Sequence, residues 1–151
     1  MLKLYRICRK IYNPEDPSGA EKIRGRWHKP RQRVLYFSSS LALCILELKA
    51  NSVSFETIRR EFHYTEIEIN PDLILLEEVP ESFYIKDWSI DWQLTQNFGE
   101  KWYRESRSPL LKVLSAALKS DYNFILNSSH PDFSKIKFPK PKVIPLDPRI
   151  K

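Results

Sequence analysis

Three side chains of complementary chemistry lie between residues 22 and 47. The segment KIRGRWHKPRQR (22–33) is strongly basic, with Arg26 at its centre and a single indole, Trp27. Tyr36 follows in the apolar run RVLYFSS (33–39), and Glu47 lies in SSSLALCILELKA (38–50). Three further polar groups sit in apolar surroundings: Arg6 in LKLYRICR, Ser38 two residues beyond Tyr36, and Ser115 in LLKVLSAAL (110–118). Such a set suits heterolysis of the bond between a cationic ring nitrogen and a ribose. That departure builds oxocarbenium character at the anomeric carbon, which a fixed carboxylate stabilises, as in glycoside hydrolysis. A guanidinium grips a pyrophosphate with a planar, permanently charged fork of donors. An aromatic ring offers a face to the leaving heterocycle, and hydroxyls can orient ribose and amide.

Each of these residues also has an ordinary structural reading. A basic loop with one Trp is commonly a solvated loop, and Tyr36 alone would be core. Glu47 could emerge at a helix edge beside Leu43 and Ala50, and Ser115 could be a small residue in a strand. Arg6 could pair with a buried acid. A different class of function is open as well: loop 22–33 and the Lys-rich tail 135–151 could bind nucleic acid, or serve a ribonuclease, with Trp27 stacking on a base.

What is missing narrows the chemistry. Only Gly19, Gly25 and Gly99 are present, too few for a Rossmann fingerprint or a P-loop. Phosphates would therefore be held by side chains. His28, His63 and His130 are far apart and no CxxC or HExxH occurs, so no metal site is expected.

The elements that must position these groups follow from periodicity and turn chemistry. LKLYRICR alternates and predicts a strand with Leu2, Leu4, Arg6 and Cys8 on one face. Arg6 then lies among apolar side chains, a costly place for an unpartnered charge. Residues 13–32 carry Pro14, Pro17, Gly19, Gly25 and Pro30 and read as a long loop, of a length that is usually functional. A second strand over 33–39 puts Val34, Tyr36 and Ser38 on one face. The serines before Leu41 are a helix N-cap signal, and Leu41, Cys44, Ile45 and Leu48 form a helical stripe with Glu47 beside it. A short helix over 54–62, two strands within 64–79 broken at Pro71, a helix from Trp88 to Tyr103, and strands 110–118 and 122–128 complete the pattern. Trp88, Trp92 and Trp102 are expected in the core, and His63 and His130 in structural roles. The segment from Pro131 to Lys151 holds five of the eleven prolines, and the Pro/Lys-rich tail 134–151 is expected to run extended over the surface. The expected fold is α+β: a single domain over 1–151 with mixed or antiparallel sheets and few helices.

Composition agrees with a globular chain: 42% of the residues are hydrophobic and 13% aromatic, enough to build a core. No run of 18 apolar residues exists, and Lys3, Arg6 and Arg9 break the N-terminal segment, so neither a membrane span nor a signal peptide is expected. Cys8 and Cys44 read as reduced core residues of a cytoplasmic protein. The net charge of +6 suits an anionic partner without choosing one.

The segments YRIC (5–8), GRW (25–27), LYFSSSLALCILEL (35–48), TQNFGEKW (95–102), LSAAL (114–118) and LNSSHPDF (126–133) resemble the RES domain family, in order and with consistent spacing, over about residues 4–133. The resemblance implies an ADP-ribosyltransferase-like fold. It also implies the toxin half of a toxin–antitoxin system that cleaves the nicotinamide–ribose bond of NAD⁺ by phosphorolysis or hydrolysis, so depleting NAD⁺ and arresting growth, or that transfers ADP-ribose to a protein. By position, Arg26, Tyr36 and Glu47 match the family's catalytic residues, and Arg6, Arg26, Tyr36, Ser38 and Ser115 would bind the dinucleotide. NAD⁺ would be the substrate, with no cofactor and with inorganic phosphate as a candidate co-substrate. The cluster Arg24, His28, Lys29, Arg31 and Arg33 would favour a second anion, and this tilts the expectation toward phosphorolysis. The implied partner is an antitoxin with a helix-turn-helix DNA-binding part, so that DNA is reached only indirectly; the oligomeric state stays open, a homodimer included. This chain departs from the family pattern at His28 (usually Asn), near Arg31 and Gln32 (where a Gly is missing), at Leu114 (usually Pro) and at Ser128 (usually Pro).

Overall fold

The computed structural model describes residues 1–151. It is an α+β fold built on one mixed seven-stranded sheet. In chain order the elements are β1 (Leu2–Arg9), α1 (Ser18–Lys22), β2 (Val34–Ser38), α2 (Leu41–Ala50), α3 (Phe55–Glu61), β3 (Phe62–Ile69), β4 (Leu76–Glu78), α4 (Trp92–Arg104), β5 (Leu110–Leu114), β6 (Tyr122–Asn127) and β7 (Lys142–Val143). The strand order is β4-β5-β6-β2-β1-β3-β7. Only β4 and β5 are parallel.

The pairing is uneven, and that unevenness makes the site. β1 pairs with β3 along its whole length, from Leu2 opposite Ile69 to Arg9 opposite Phe62. β2 pairs fully with β6, from Val34 opposite Asn127 to Ser38 opposite Asn123. Between β1 and β2, however, the only register pair is Tyr5 with Ser38. Two half-sheets therefore meet at a single point and part on one side of it.

Alternation along the strands serves two cores. Leu35, Phe37, Phe124, Leu126 and Leu110 join Leu4, Ile67 and Ile69 on one face. Val34, Ile125, Leu111 and Val113 join Trp27, Trp88 and Trp102 on the other. Tyr36, Ser38 and Asn123 fall on this second face by the same period of two. A third cluster places Ile58 and Phe62 against Ile144.

Several boundaries differ from the periodicity, each for a local reason. α4 begins at Trp92 rather than Trp88, because the Asp91 side chain accepts the Leu94 N–H as its N-cap and Asp87 turns the chain at φ 63°. β5 stops at Leu114: the Ser115 hydroxyl accepts the Leu118 N–H at 3.1 Å and folds 115–118 into a turn. A short helix, α1, interrupts the loop 13–32. The tail is not merely laid over the surface, since Ile136 and Ile144 are buried and β7 adds an edge strand to β3. His63 lies 3.2 Å from the Cys8 sulfur, and His130 accepts the Asp132 N–H at 3.0 Å, both in structural roles. Cys8 and Cys44 are buried and unpaired. No helix is long and apolar enough to cross a membrane.

Candidate active site

A cavity of about 650 Å³ opens where β1 and β2 part, walled by α2, the 23–27 loop and the start of α4. Arg6, Arg26, Tyr36, Ser38 and Glu47 all line it. Five of the six residues singled out in the sequence therefore share one space. Ser115 does not: it is fully buried and stands behind Glu47 rather than in the cavity.

Glu47 is set by its helix. The Ser40 hydroxyl accepts the Leu43 N–H at 3.0 Å and starts α2. Leu43 and Cys44 are buried, and Glu47 lies one turn further along the same side. Its Oε1 accepts two hydrogen bonds, from the Ser115 hydroxyl and from the Asn123 amide, each at 2.7 Å. Asn123 Oδ1 in turn accepts from the Ser38 hydroxyl at 2.7 Å. The Glu47 carboxylate fixes the amide orientation of Asn123, because it can only accept and so takes the Asn123 NH₂, which leaves Oδ1 to accept from Ser38. No protein donor engages Glu47 Oε2.

Arg26 is held at both ends. Its Nη1 donates to the Ser89 carbonyl, and its guanidinium lies 5.2 Å from the centroid of the Trp92 ring. Arg24 stacks over the same ring at 5.8 Å. The backbone of Gly25 and Arg26 is clamped by α4: Thr95 donates its hydroxyl to the Arg26 carbonyl, and Gln96 Nε2 donates to the Gly25 carbonyl at 2.8 Å. Burial pushes the Arg26 pKa below its ordinary value, and the charge of Glu47 pulls it back up.

Arg6 bridges the parting of the strands. Nε donates to the Pro14 carbonyl at 2.9 Å and Nη1 to the Tyr36 carbonyl at 3.4 Å. Its partners are carbonyls, not a buried acid, and desolvation lowers its pKa. A guanidinium without a carboxylate at a cavity wall is a ready partner for an anionic ligand.

Tyr36 is half-buried, and burial raises its phenol well above the ordinary value. Its hydroxyl lies 2.7 Å from His28 Nδ1 and receives the Trp27 N–H at 3.4 Å.

Four expectations are corrected here. Trp27 is buried against Phe83, Trp88 and Phe98, so it has no face to offer a base. Trp92 is not core: it is 37% exposed and forms part of the cavity wall. The basic cluster of loop 22–33 does not converge on the cavity, because Lys29 pairs with Glu100, Arg33 pairs with Glu21 at 2.6 Å, and His28 is buried. Of the Lys and Arg side chains in this loop, only Arg24 and Arg26 line the cavity. Ser115 can touch a ligand only through Glu47. Sequence reasoning also missed Asn123, whose signal was one of two amides, with Asn127, that flank Ile125 on one face of β6.

Residues 3–147 match the RES domain family. The chain is similar to a Toxin Res of Yersinia enterocolitica, 28% identical over 99% of this chain and 100% of that one. It is also similar to a Prs ADP-ribosylating toxin of Sphingobium sp., 31% identical over 93% of this chain and 90% of that one. Its fold is similar to that of a chain in the crystal structure of the M. tuberculosis MbcT–MbcA toxin–antitoxin complex, with a TM-score of 0.76 at 17% identity over 94% of this chain and 83% of that chain. With its family match covering nearly the whole sequence, and its Arg, Tyr and Glu gathered in one cavity, this chain belongs to the RES domain family.

Proposed function

We propose that the chain is the toxin of a toxin–antitoxin pair and cleaves the nicotinamide–ribose bond of NAD⁺. The observation that carries this reading is the carboxylate of Glu47, fixed by two short hydrogen bonds in a cavity that also holds Arg6, Arg26 and Tyr36. Arg26 and Arg6 neutralise the pyrophosphate. The Tyr36 ring receives the nicotinamide. The Glu47 charge stabilises the ribosyl cation as the C–N bond breaks, and nicotinamide leaves neutral with the bonding electron pair. Ser115 and Asn123 hold Glu47 in place, and Ser38 holds Asn123. NAD⁺ is the substrate and no cofactor takes part. An antitoxin carrying a helix-turn-helix part would restrain the enzyme in the cytoplasm, with an acidic group against Arg26 and Arg6.

The captor of the cation is water, phosphate or a protein nucleophile. With Lys29 and Arg33 engaged elsewhere, the loop lends phosphate less support than its sequence implied. The similarity to a Prs ADP-ribosylating toxin favours a protein acceptor as the second reading. The test follows NAD⁺ by proton and phosphorus NMR in phosphate-free buffer, then with phosphate added at constant ionic strength. Nicotinamide release is expected with phosphate present, and in phosphate-free buffer too where water is the captor. ADP-ribose-1″-phosphate appearing only with phosphate marks a phosphorylase, plain ADP-ribose a hydrolase, and radiolabel on a protein band a transferase. NAD⁺ left intact in both buffers, with no radiolabel on any protein band, overturns the reading.

Arg26→Lys tests the phosphate contact. An ammonium is a point charge and cannot reproduce a bidentate fork. Measured calorimetrically in a Glu47→Gln background, where NAD⁺ survives the titration, affinity is expected to fall roughly tenfold or more, the equivalent of one hydrogen bond to a charged group. Equal affinity would place the pyrophosphate elsewhere.

A further inference from the structure

We propose that His28 is the positioning residue for Tyr36: its Nδ1 accepts the hydrogen bond of the phenol O–H, so that Tyr36 meets the nicotinamide with its ring face and not with its hydroxyl. The inference rests on the NAD⁺ reading above and adds a residue to it.

Hydrogen-bond counting assigns every proton. His28 Nε2 lies 2.9 Å from the Ala20 carbonyl and 2.9 Å from the Ile23 carbonyl. A carbonyl can only accept, so Nε2 carries the proton. The ring is 3% exposed, and burial outweighs those two carbonyls in lowering its pKa, which keeps it neutral. Nδ1 is then a bare lone pair, and the Tyr36 hydroxyl 2.7 Å away must donate to it. The Trp27 N–H approaches the same phenol oxygen. Tyr36 has one O–H, and it is spent inside the protein. What it keeps for a ligand is the ring.

Packing holds the pair in place. The Gly25 N–H donates to the His28 carbonyl at 3.0 Å, closing a tight turn around Arg26. A Cβ at Gly25 would lie 2.5 Å from His28 Cε1, 2.6 Å from Nδ1 and 2.8 Å from the Tyr36 hydroxyl oxygen. Only a glycine lets the turn lie against the two polar groups. The imidazole thus has separate tasks on its two nitrogens: Nε2 ties down the carbonyls at the end of α1, and Nδ1 sets Tyr36. Asn is the usual family residue here, and its side-chain oxygen can stand where Nδ1 stands, although it is too short to reach the α1 carbonyls. Gln does the reverse, since its terminal amide nitrogen reaches the Nε2 position.

That division makes the test. In His28→Gln the nicotinamide inhibition constant and the KM for NAD⁺ are expected to rise about tenfold, the equivalent of one lost hydrogen bond, while ADP-ribose inhibition does not move. His28→Asn should restore most of the loss even though it melts lower. Tyr36→Phe, His28→Gln and the double variant should resemble one another, since each releases the same ring. Independently of turnover, a nitrogen-15 histidine spectrum should show His28 as the Nε2–H tautomer with a hydrogen-bonded Nδ1 that responds to Tyr36→Phe. Failure of the functional reading has its own signature: wild-type protein that neither cleaves NAD⁺ nor binds nicotinamide. The proposal is overturned if wild type cleaves NAD⁺ and His28→Gln matches it, if Tyr36→Phe falls far below His28→Gln, or if His28 carries its proton on Nδ1.

Discussion

Glu47→Gln is expected to slow NAD⁺ cleavage by about 10²-fold or more, the range seen when a preorganised electrostatic group is lost, while the fold and NAD⁺ affinity change far less. Gln has nearly the shape of Glu. Its amide oxygen can take the place of Oε1 and accept the same two donors, Ser115 and Asn123. The relay to Ser38 then survives, and α2 has no reason to shift. What disappears is the negative charge, and an NH₂ group takes the place of Oε2. Two N–H dipoles would then face the ribose carbon as it turns positive, so stabilisation is not merely removed but reversed. Single-turnover nicotinamide release measures the first effect, and calorimetry with NAD⁺ the second. A variant that keeps full turnover removes Glu47 from the mechanism. One that loses affinity and rate in parallel makes Glu47 a ground-state contact instead.

Arg26, Tyr36 and Glu47 were legible in the sequence because each belongs to a local pattern. The Gly-Arg-Trp turn, the period-two strand and the serine-capped helix can be read without knowing the fold. What holds Glu47 was not legible in this way. Asn123 reaches it across 76 positions of sequence, and Ser115 across 68. Their meeting depends on the β2–β6 register, in which Ser38 faces Asn123. The misreadings are of the same kind. Loop 22–33 looked like an anion-binding cluster because its cations are neighbours in sequence. Their partners Glu21 and Glu100 come from α1 and α4, and only the packed fold brings them to Arg33 and Lys29. Trp92 looked like core because a helix from Trp88 would bury both indoles. Asp91 starts the helix one turn later and leaves Trp92 at the mouth of the cavity. His28, a departure from the family pattern by sequence, turns out to be the hydrogen-bond partner of Tyr36.

The parting of β1 from β2 gives Arg6 its place. Where two strands separate, carbonyls lose their ladder partners, and a buried carbonyl without a donor is costly. The Arg6 side chain donates to the Tyr36 carbonyl on β2 and to the Pro14 carbonyl of the loop beyond β1. One guanidinium therefore supplies the donors that the missing strand pairing does not, and it brings positive charge to the cavity wall. Opening the sheet and charging the site have a common origin in this residue.

The other large effect is expected at Gly99, which touches no ligand. On helix propensity alone, Ala for Gly inside α4 stabilises by roughly 0.5–1 kcal/mol. The contact decides otherwise. A Cβ at Gly99 would fall on the Trp27 carbonyl oxygen, a backbone atom that cannot swing aside. α4 would have to move off the 25–27 segment. Thr95 and Gln96, on the same side of the helix, would then stretch their hydrogen bonds to the Arg26 and Gly25 carbonyls. Overpacking of this sort costs about 1–3 kcal/mol or more. For a chain of this size that lowers the melting temperature by roughly 2–4 °C for each kcal/mol. Because the displaced segment carries Arg26, NAD⁺ affinity should drop as well, although residue 99 lies outside the cavity. Gly19→Ala is the matched control, since nothing lies within 4 Å of its added methyl group. Thermal melts of both variants, with NAD⁺ titrations beside them, read the two effects separately. If Gly99→Ala melts no lower than Gly19→Ala, α4 does not press on Trp27 as described. If it melts lower but binds NAD⁺ normally, the clamp on Arg26 is structural and does not set the site.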